Sequence, residues 1–144
     1  MDEWVMERYE LAKERIAQIP DEKMAEEPYC DFFTKEAMFL QQVIHVMDHG
    51  IAGKNLEELQ EQNHELYQDI LPENYENSYG NPAYAQKMLG EYGKVFTFLY
   101  TELHGTIAYA FEKKAWDLTV VFELFLEIYS AFTMPFRTRY YFVG

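Results

Sequence analysis

The chain has a single cysteine, Cys30, so it can form no internal disulfide and no cysteine-rich metal knuckle. Glycine and proline are also scarce, seven and five among 144 residues, and they gather at a few places instead of recurring evenly. A many-stranded sandwich needs turn residues at short regular intervals, so this distribution favours long helices. Basic side chains are few: Lys and Arg number 12 against 25 Asp and Glu, for a formal net charge of -13. The imbalance lies in residues 1–80, which hold 19 acidic and 6 basic side chains, whereas residues 81–144 hold 6 of each. An acidic surface repels phosphate, which argues against nucleic-acid binding and against docking on anionic membranes. The plain role of such charge is solubility. The most apolar stretch, Leu118 to Phe132, is interrupted by Glu123 and Glu127 and falls short of the ~18 to 20 residues of a membrane span. Met1-Asp2-Glu3-Trp4 lacks the basic start and apolar run of a signal peptide. Together these absences predict a cytoplasmic protein with neither nucleic acid nor membrane as partner.

What the chain does have is apolar mass. Hydrophobic residues make up 49% and aromatics 17%, too much for a disordered tail. One domain of this length can bury ~70% of its unfolded surface, so a core rich in Phe and Tyr is expected. Val5, Tyr9, Ala12, Ile16 and Ile19 recur at steps of four, three, four and three, which places them on one face of a first helix. Asp2 is its candidate cap, and Pro20 stops the run. A second helix starts near Pro28 and continues through Phe32, Phe33, Glu36, Leu40, Val43, Ile44 and Met47. Gly50, just after His49, is its expected C-cap, with Gly53 beyond.

Asn55 and Glu58 resemble a capping box for a third helix from Leu56 to about Leu71, with Leu59, Leu66 and Ile70 on its apolar face. Residues 72–82 then form a loop longer than most bundle connections. Asn81-Pro82 signals the next helix start. The helical pattern from there runs through Leu89, Phe96, Leu99, Leu103 and Ile107 towards Phe111. As one straight rod it would reach ~45 Å, so a break is expected near Gly90 to Gly93, or near Gly105. Asp117 can cap a last helix from Leu118 to about Phe132, expected to be the central one. The fold class is therefore all-α: one domain over residues 1–144, a five- or six-helix bundle over about 1–133, and an irregular tail over 134–144.

Chemistry-bearing groups are sparse. His45 and His49 stand four apart with Asp48 beside them, a spacing that can hold zinc but requires a third ligand. The plainer account is a pair of basic side chains near the exposed carbonyls of a helix C-terminus. Glu61-Gln-Asn-His64 matches one Glu-x-x-His element of a di-iron bundle, but no second such element occurs. Glu123 and Glu127 are neighbours on an apolar helix; buried, they would need a cation or basic partners such as Lys113 or Lys114. An exposed stripe needs no such partner and is the expected arrangement. Cys30 has no His nearby in sequence and is expected to be a small packed thiol. No catalytic residue, metal or cofactor is assigned to this chain. In the 72–82 loop, Tyr75, Asn77 and Tyr79 form a set suited to contacting a protein partner. Equally, the tyrosines can fold back to cap the bundle while the Asn side chains satisfy the loop backbone.

Several runs resemble a known family. Glu7-Arg-Tyr-Glu-Leu-Ala-Lys-Glu-Arg-Ile16 resembles the opening of leucyl aminopeptidases of the aminopeptidase T type. Leu66-Tyr-Gln-Asp-Ile-Leu-Pro-Glu-Asn-Tyr-Glu-Asn-Ser-Tyr-Gly-Asn-Pro-Ala-Tyr-Ala85 resembles a stretch of the helical N-terminal extension in some members. Phe98-Leu-Tyr-Thr-Glu-Leu103 and Phe122-Glu-Leu-Phe-Leu-Glu-Ile-Tyr129 are similar in kind. The resemblance covers roughly residues 3 to 131. It implies a metal-dependent exopeptidase whose carboxylate, histidine and tyrosine ligands lie in a later catalytic region, so none of them maps onto this chain. After Ala131 the sequence departs from the family's acidic helical continuation. It reads Met134-Pro-Phe-Arg-Thr-Arg-Tyr-Tyr-Phe-Val-Gly144, a basic and aromatic ending that looks truncated or altered. The expected function is a non-catalytic accessory module for substrate gating or oligomerisation, with the peptidase's catalytic region or a second copy as partner. The competing expectations are a free-standing helical interaction protein and, least favoured, an independent metalloenzyme.

Overall fold

Every apolar residue singled out in the first helix is buried, and from this stripe the bundle assembles. The computed structural model describes residues 3–53, 56–70 and 78–133. Helix α1 (Glu3–Ile16) buries Val5, Tyr9, Ala12 and Ile16, and Ile19 is buried just past its end. Pro20 ends that turn and precedes the short α2 (Asp21–Met24). The spine is α3 (Glu27–Ile51), which carries Pro28 in its first turn, where the missing N–H breaks no helical bond.

Four long helices, α1, α3, α7 (Gly93–Lys113) and α8 (Thr119–Ala131), make the all-helical bundle that the glycine and proline spacing implied. Helix α8 has its most extensive interface with α3 and also packs on α1. Its Phe122, Phe125 and Tyr129 are fully buried. The core they enter is aromatic. Phe32, Phe33, Phe96 and Tyr129 meet at ring-centroid separations of 4.7 to 6.4 Å, mostly edge to face, the arrangement ring quadrupoles favour.

Three local expectations are corrected. Gly50 does not end α3; the helix runs on to Ile51, and the positive φ of +92° falls at Gly53. Gly50 is buried in the last turn because the Trp116 indole occupies the space a side chain would take. The expected single helix from Leu56 is two short ones, α4 (Leu56–Gln62) and α5 (His64–Asp69). Asn63 separates them at φ -125°, ψ 41°, consistent with asparagine's preference for local bonding over helix. Asp117 is not a cap: it sits exposed in a 3-10 turn, Trp116–Leu118, and Leu118 takes the N-cap place of α8 without a side-chain bond. Asn55, Leu71 and the side chain of Leu59 lie outside the described residues.

Asp2 and residues 134–144 also lie outside the described residues, and two further signals hold. The Asn81 carboxamide oxygen accepts from the N–H groups of Ala83 (2.9 Å) and Tyr84 (3.4 Å), capping α6 (Pro82–Leu89). Gly90, at φ +66°, ends α6, and a 3-10 turn (Gly90–Tyr92) re-aims the chain into α7, the expected break. The Tyr29 hydroxyl donates to the Leu89 carbonyl at 2.6 Å, satisfying one of the orphan acceptors at the end of α6. No helix among the described residues is long and apolar enough to cross a membrane.

Candidate functional site

Two ionisable side chains lie in the core where α3, α5 and α7 meet. Glu36 is 6% exposed and His104 2%. Glu36 sits one turn from both Phe32 and Leu40 on the buried face of α3, and His104 sits between Tyr100 and Ile107 on that of α7. Helical periodicity therefore carries both groups inward with their apolar neighbours. The His104 ring stacks on Tyr100 (3.8 Å, 18°) and on Phe39 (4.6 Å, 5°). Its Nε2 lies 2.9 Å from Glu36 Oε2, and its Nδ1 lies 2.9 Å from the carbonyl oxygen of Asp69, the last residue of α5.

A carbonyl oxygen only accepts, so Nδ1 carries a hydrogen and donates it to Asp69. The Nε2–Oε2 separation is that of a hydrogen bond, and pairing the two groups offsets much of the cost of burying each alone. Nearby groups feel the pair. Burial, with the Glu36 charge adding to it, pushes the fully buried Tyr129 phenol well above its ordinary value. The Tyr129 hydroxyl has no hydrogen-bond partner among the described residues. Lost solvation raises the Asp69 carboxyl above the usual carboxylate range, with His104 opposing the shift and Glu36 and Glu65 adding to it. Closed off from solvent, the Glu36–His104 pair suits a structural hold and offers no access to a substrate.

The residues that the sequence singled out are dispersed. Tyr75 and Asn77 lie outside the described residues. Tyr79 is half-buried: its ring meets Phe32 at 5.2 Å and Tyr84 at 5.5 Å, so this tyrosine folds back on the bundle. Burial is the main cause that raises its phenol above the ordinary value. The rings of His45 and His49 are 4.3 Å apart, with His45 exposed. Glu61 and His64 are both exposed and stand on different helices, with the Asn63 break between them. No group of three His, Cys, Asp or Glu placed to hold a metal occurs among the described residues. Glu123 and Glu127 are the expected exposed stripe. Cys30 is buried, and its thiol donates to the Met24 carbonyl at 2.8 Å.

Sequence reading missed the Glu36–His104 pair. Its signal was present in each half separately: a glutamate in step with Phe32, Leu40, Val43 and Met47, and a histidine in step with Tyr100 and Ile107. Sequence spacing cannot show that two such groups, 68 residues apart, face one another.

A largely apolar groove of about 270 Å³ lies at the ends of α1 and α8, lined by Ile16, Ala17, Ile19, Met24, Ile128 and Phe132 and by the charged Lys13 and Asp21. Helices α1, α7 and α8 meet through contacts between distant parts of the chain. Arg8 pairs with Glu102 at 3.3 Å, the Tyr9 ring meets Phe125 at 5.4 Å, and the Arg15 guanidinium lies 4.6 Å from the centre of the Phe98 ring. No family model matches the chain, and no curated protein or solved structure matches it.

Proposed function

We propose that the chain is a non-catalytic helical module of the kind carried by metal-dependent leucyl aminopeptidases of the aminopeptidase T type, acting in the cytoplasm to gate substrate access or support assembly. One observation carries the reading. Three of the four runs that bear the resemblance, in α1, α7 and α8, touch one another through Arg8–Glu102, Tyr9–Phe125 and Arg15–Phe98. The fourth, Leu66–Ala85, passes through residues 71–77, which lie outside the described residues. The apolar groove beside Ile128 and Phe132 is the docking face for the catalytic region.

The test is association in trans with a purified catalytic region of such an enzyme, read by size-exclusion chromatography and by the hydrolysis of leucyl peptides of increasing length. Co-elution is expected with Kd of about 10 µM or tighter, together with a length-dependent change in KM. Ala17 lines the groove and is exposed, so Ala17→Arg blocks the groove without entering the core, and it should weaken binding at least tenfold. Neither association nor altered kinetics at about 100 µM would sink the reading.

The groove by itself also favours a second reading, a free-standing interaction domain that docks a copy of itself. Sedimentation equilibrium separates the two. A dimer abolished by Ala17→Arg supports self-association, and a strict monomer removes it.

A further inference from the structure

We infer that His104 is a latch that holds α5 against the bundle, so that residues 64–70 open as one unit while α3, α7 and α8 remain closed. The inference goes beyond the module reading and does not depend on it. Helix α5 has six residues, too few to be stable alone, so its structure depends on tertiary contacts. Among the described residues, Leu66 and Ile70 are buried, and the Tyr67 ring lies 4.9 Å from Phe111. The Asp69 carbonyl is one of the orphan acceptors at the C-terminal end of α5, and His104 Nδ1–H supplies a donor to it from a different helix.

Beside α5 the surface is indented: two open depressions of about 300 and 310 Å³ share Gln42 and Asn63 in their walls, with Gln41 and His45 of α3 lining one and His64 and Glu65 of α5 the other. A six-residue helix bordered by open surface, with its end capped by a side chain of another helix, is the kind of unit that opens below the global unfolding free energy. The His104 ring does not share this freedom, because Phe39 and Tyr100 stack on it and Glu36 holds its other nitrogen. The latch is fixed on the bundle, and the strap moves.

Hydrogen exchange on the full chain, followed residue by residue, tests this. Removing His104 alone would leave the Glu36 carboxyl without its partner, so the comparison runs from Glu36→Leu to the double variant Glu36→Leu with His104→Phe. Phenylalanine keeps a ring between Phe39 and Tyr100 and loses the donor to Asp69. The amides of Tyr67, Gln68, Asp69 and Ile70 should exchange at least tenfold faster in the double variant, while those of α3, α7 and α8 change less than twofold. Equal rates in the two variants, or a uniform rise through the bundle, would overturn the latch. The wild-type chain gives a check that needs no variant. With each rate taken relative to that group's own intrinsic exchange rate, the His104 Nδ1 proton should be protected within twofold of the α5 amides and at least tenfold less than the slowest core amides. A Nδ1 proton as protected as the core overturns the inference equally.

Discussion

The indole of Trp116 rests on the backbone of Gly50: a Cβ built at position 50 would stand 2.5 Å from Cε2 and 2.6 Å from Cδ2 of the ring. The contact brings the last turn of α3 against the 3-10 turn that leads into α8, and only a residue without a side chain allows it. At Gly93 the constraint is harder, because a Cβ there would lie 2.8 Å from the carbonyl carbon and oxygen of Ala85, which are backbone atoms. At Gly105, in the middle of α7, nothing lies within 4 Å.

These three sites set an order. Gly50→Ala should cost about 1–3 kcal/mol through overpacking. Gly93→Ala should cost at least as much, since α6 must move away from α7. Gly105→Ala should stabilise by about 0.5–1 kcal/mol through helix propensity. Urea midpoints at constant m-value check the ranking, and Gly105→Ala ranking as the most damaging would contradict the packing described.

The buried pair predicts a second order, at position 36. Glu36→Gln keeps a donor facing His104 Nε2 and should cost little. Glu36→Leu leaves that nitrogen unpaired and should cost about 1–3 kcal/mol. His104→Ala strands the carboxyl and should be worst, at about 3–5 kcal/mol. Thermal melts and denaturant curves at neutral pH measure all three.

Tyr67 loses solvation in the bundle, which pushes its phenol up to about 12. Tyr29, Tyr79 and Tyr129 are raised as well, each chiefly by burial. Absorbance at 295 nm should therefore show these four of the twelve tyrosines ionising late. Above pH about 10 the unfolded chain releases phenolic protons that the native state retains, so stability must fall as pH rises from there towards 12. A stability that is flat or rising over that window would be inconsistent with the burial of these hydroxyls.

Asn81→Ala removes the acceptor for two N–H groups at the start of α6 and should cost about 1 kcal/mol. Faster amide exchange confined to the first turn of α6 is the expected signature. Loss of structure throughout the bundle would mean the cap does more than hold its own helix.

How much of this was legible beforehand follows from the range of the interactions involved. The α1 stripe, the Pro28 start, the Asn81 cap, the break at Gly90 and the exposed Glu123 and Glu127 could all be read in sequence, because each depends on residues within a turn or two. The end of α3 was misread because Gly50 has two possible uses, as a cap or as a seat for another ring, and Trp116, which decides between them, is remote in sequence. The break at Asn63 was missed because a single polar residue within a helical pattern weighs little against the residues on either side.

The sequence by itself determined the helical class, most helix positions and which face of each long helix turns inward, since periodicity and capping are local. Only the tertiary structure decided that Glu36 meets His104, that His104 caps α5, and that Trp116 takes the place of a side chain at Gly50. Each of these joins residues distant in the chain, and a burial pattern says which residues turn inward without saying which of them will meet.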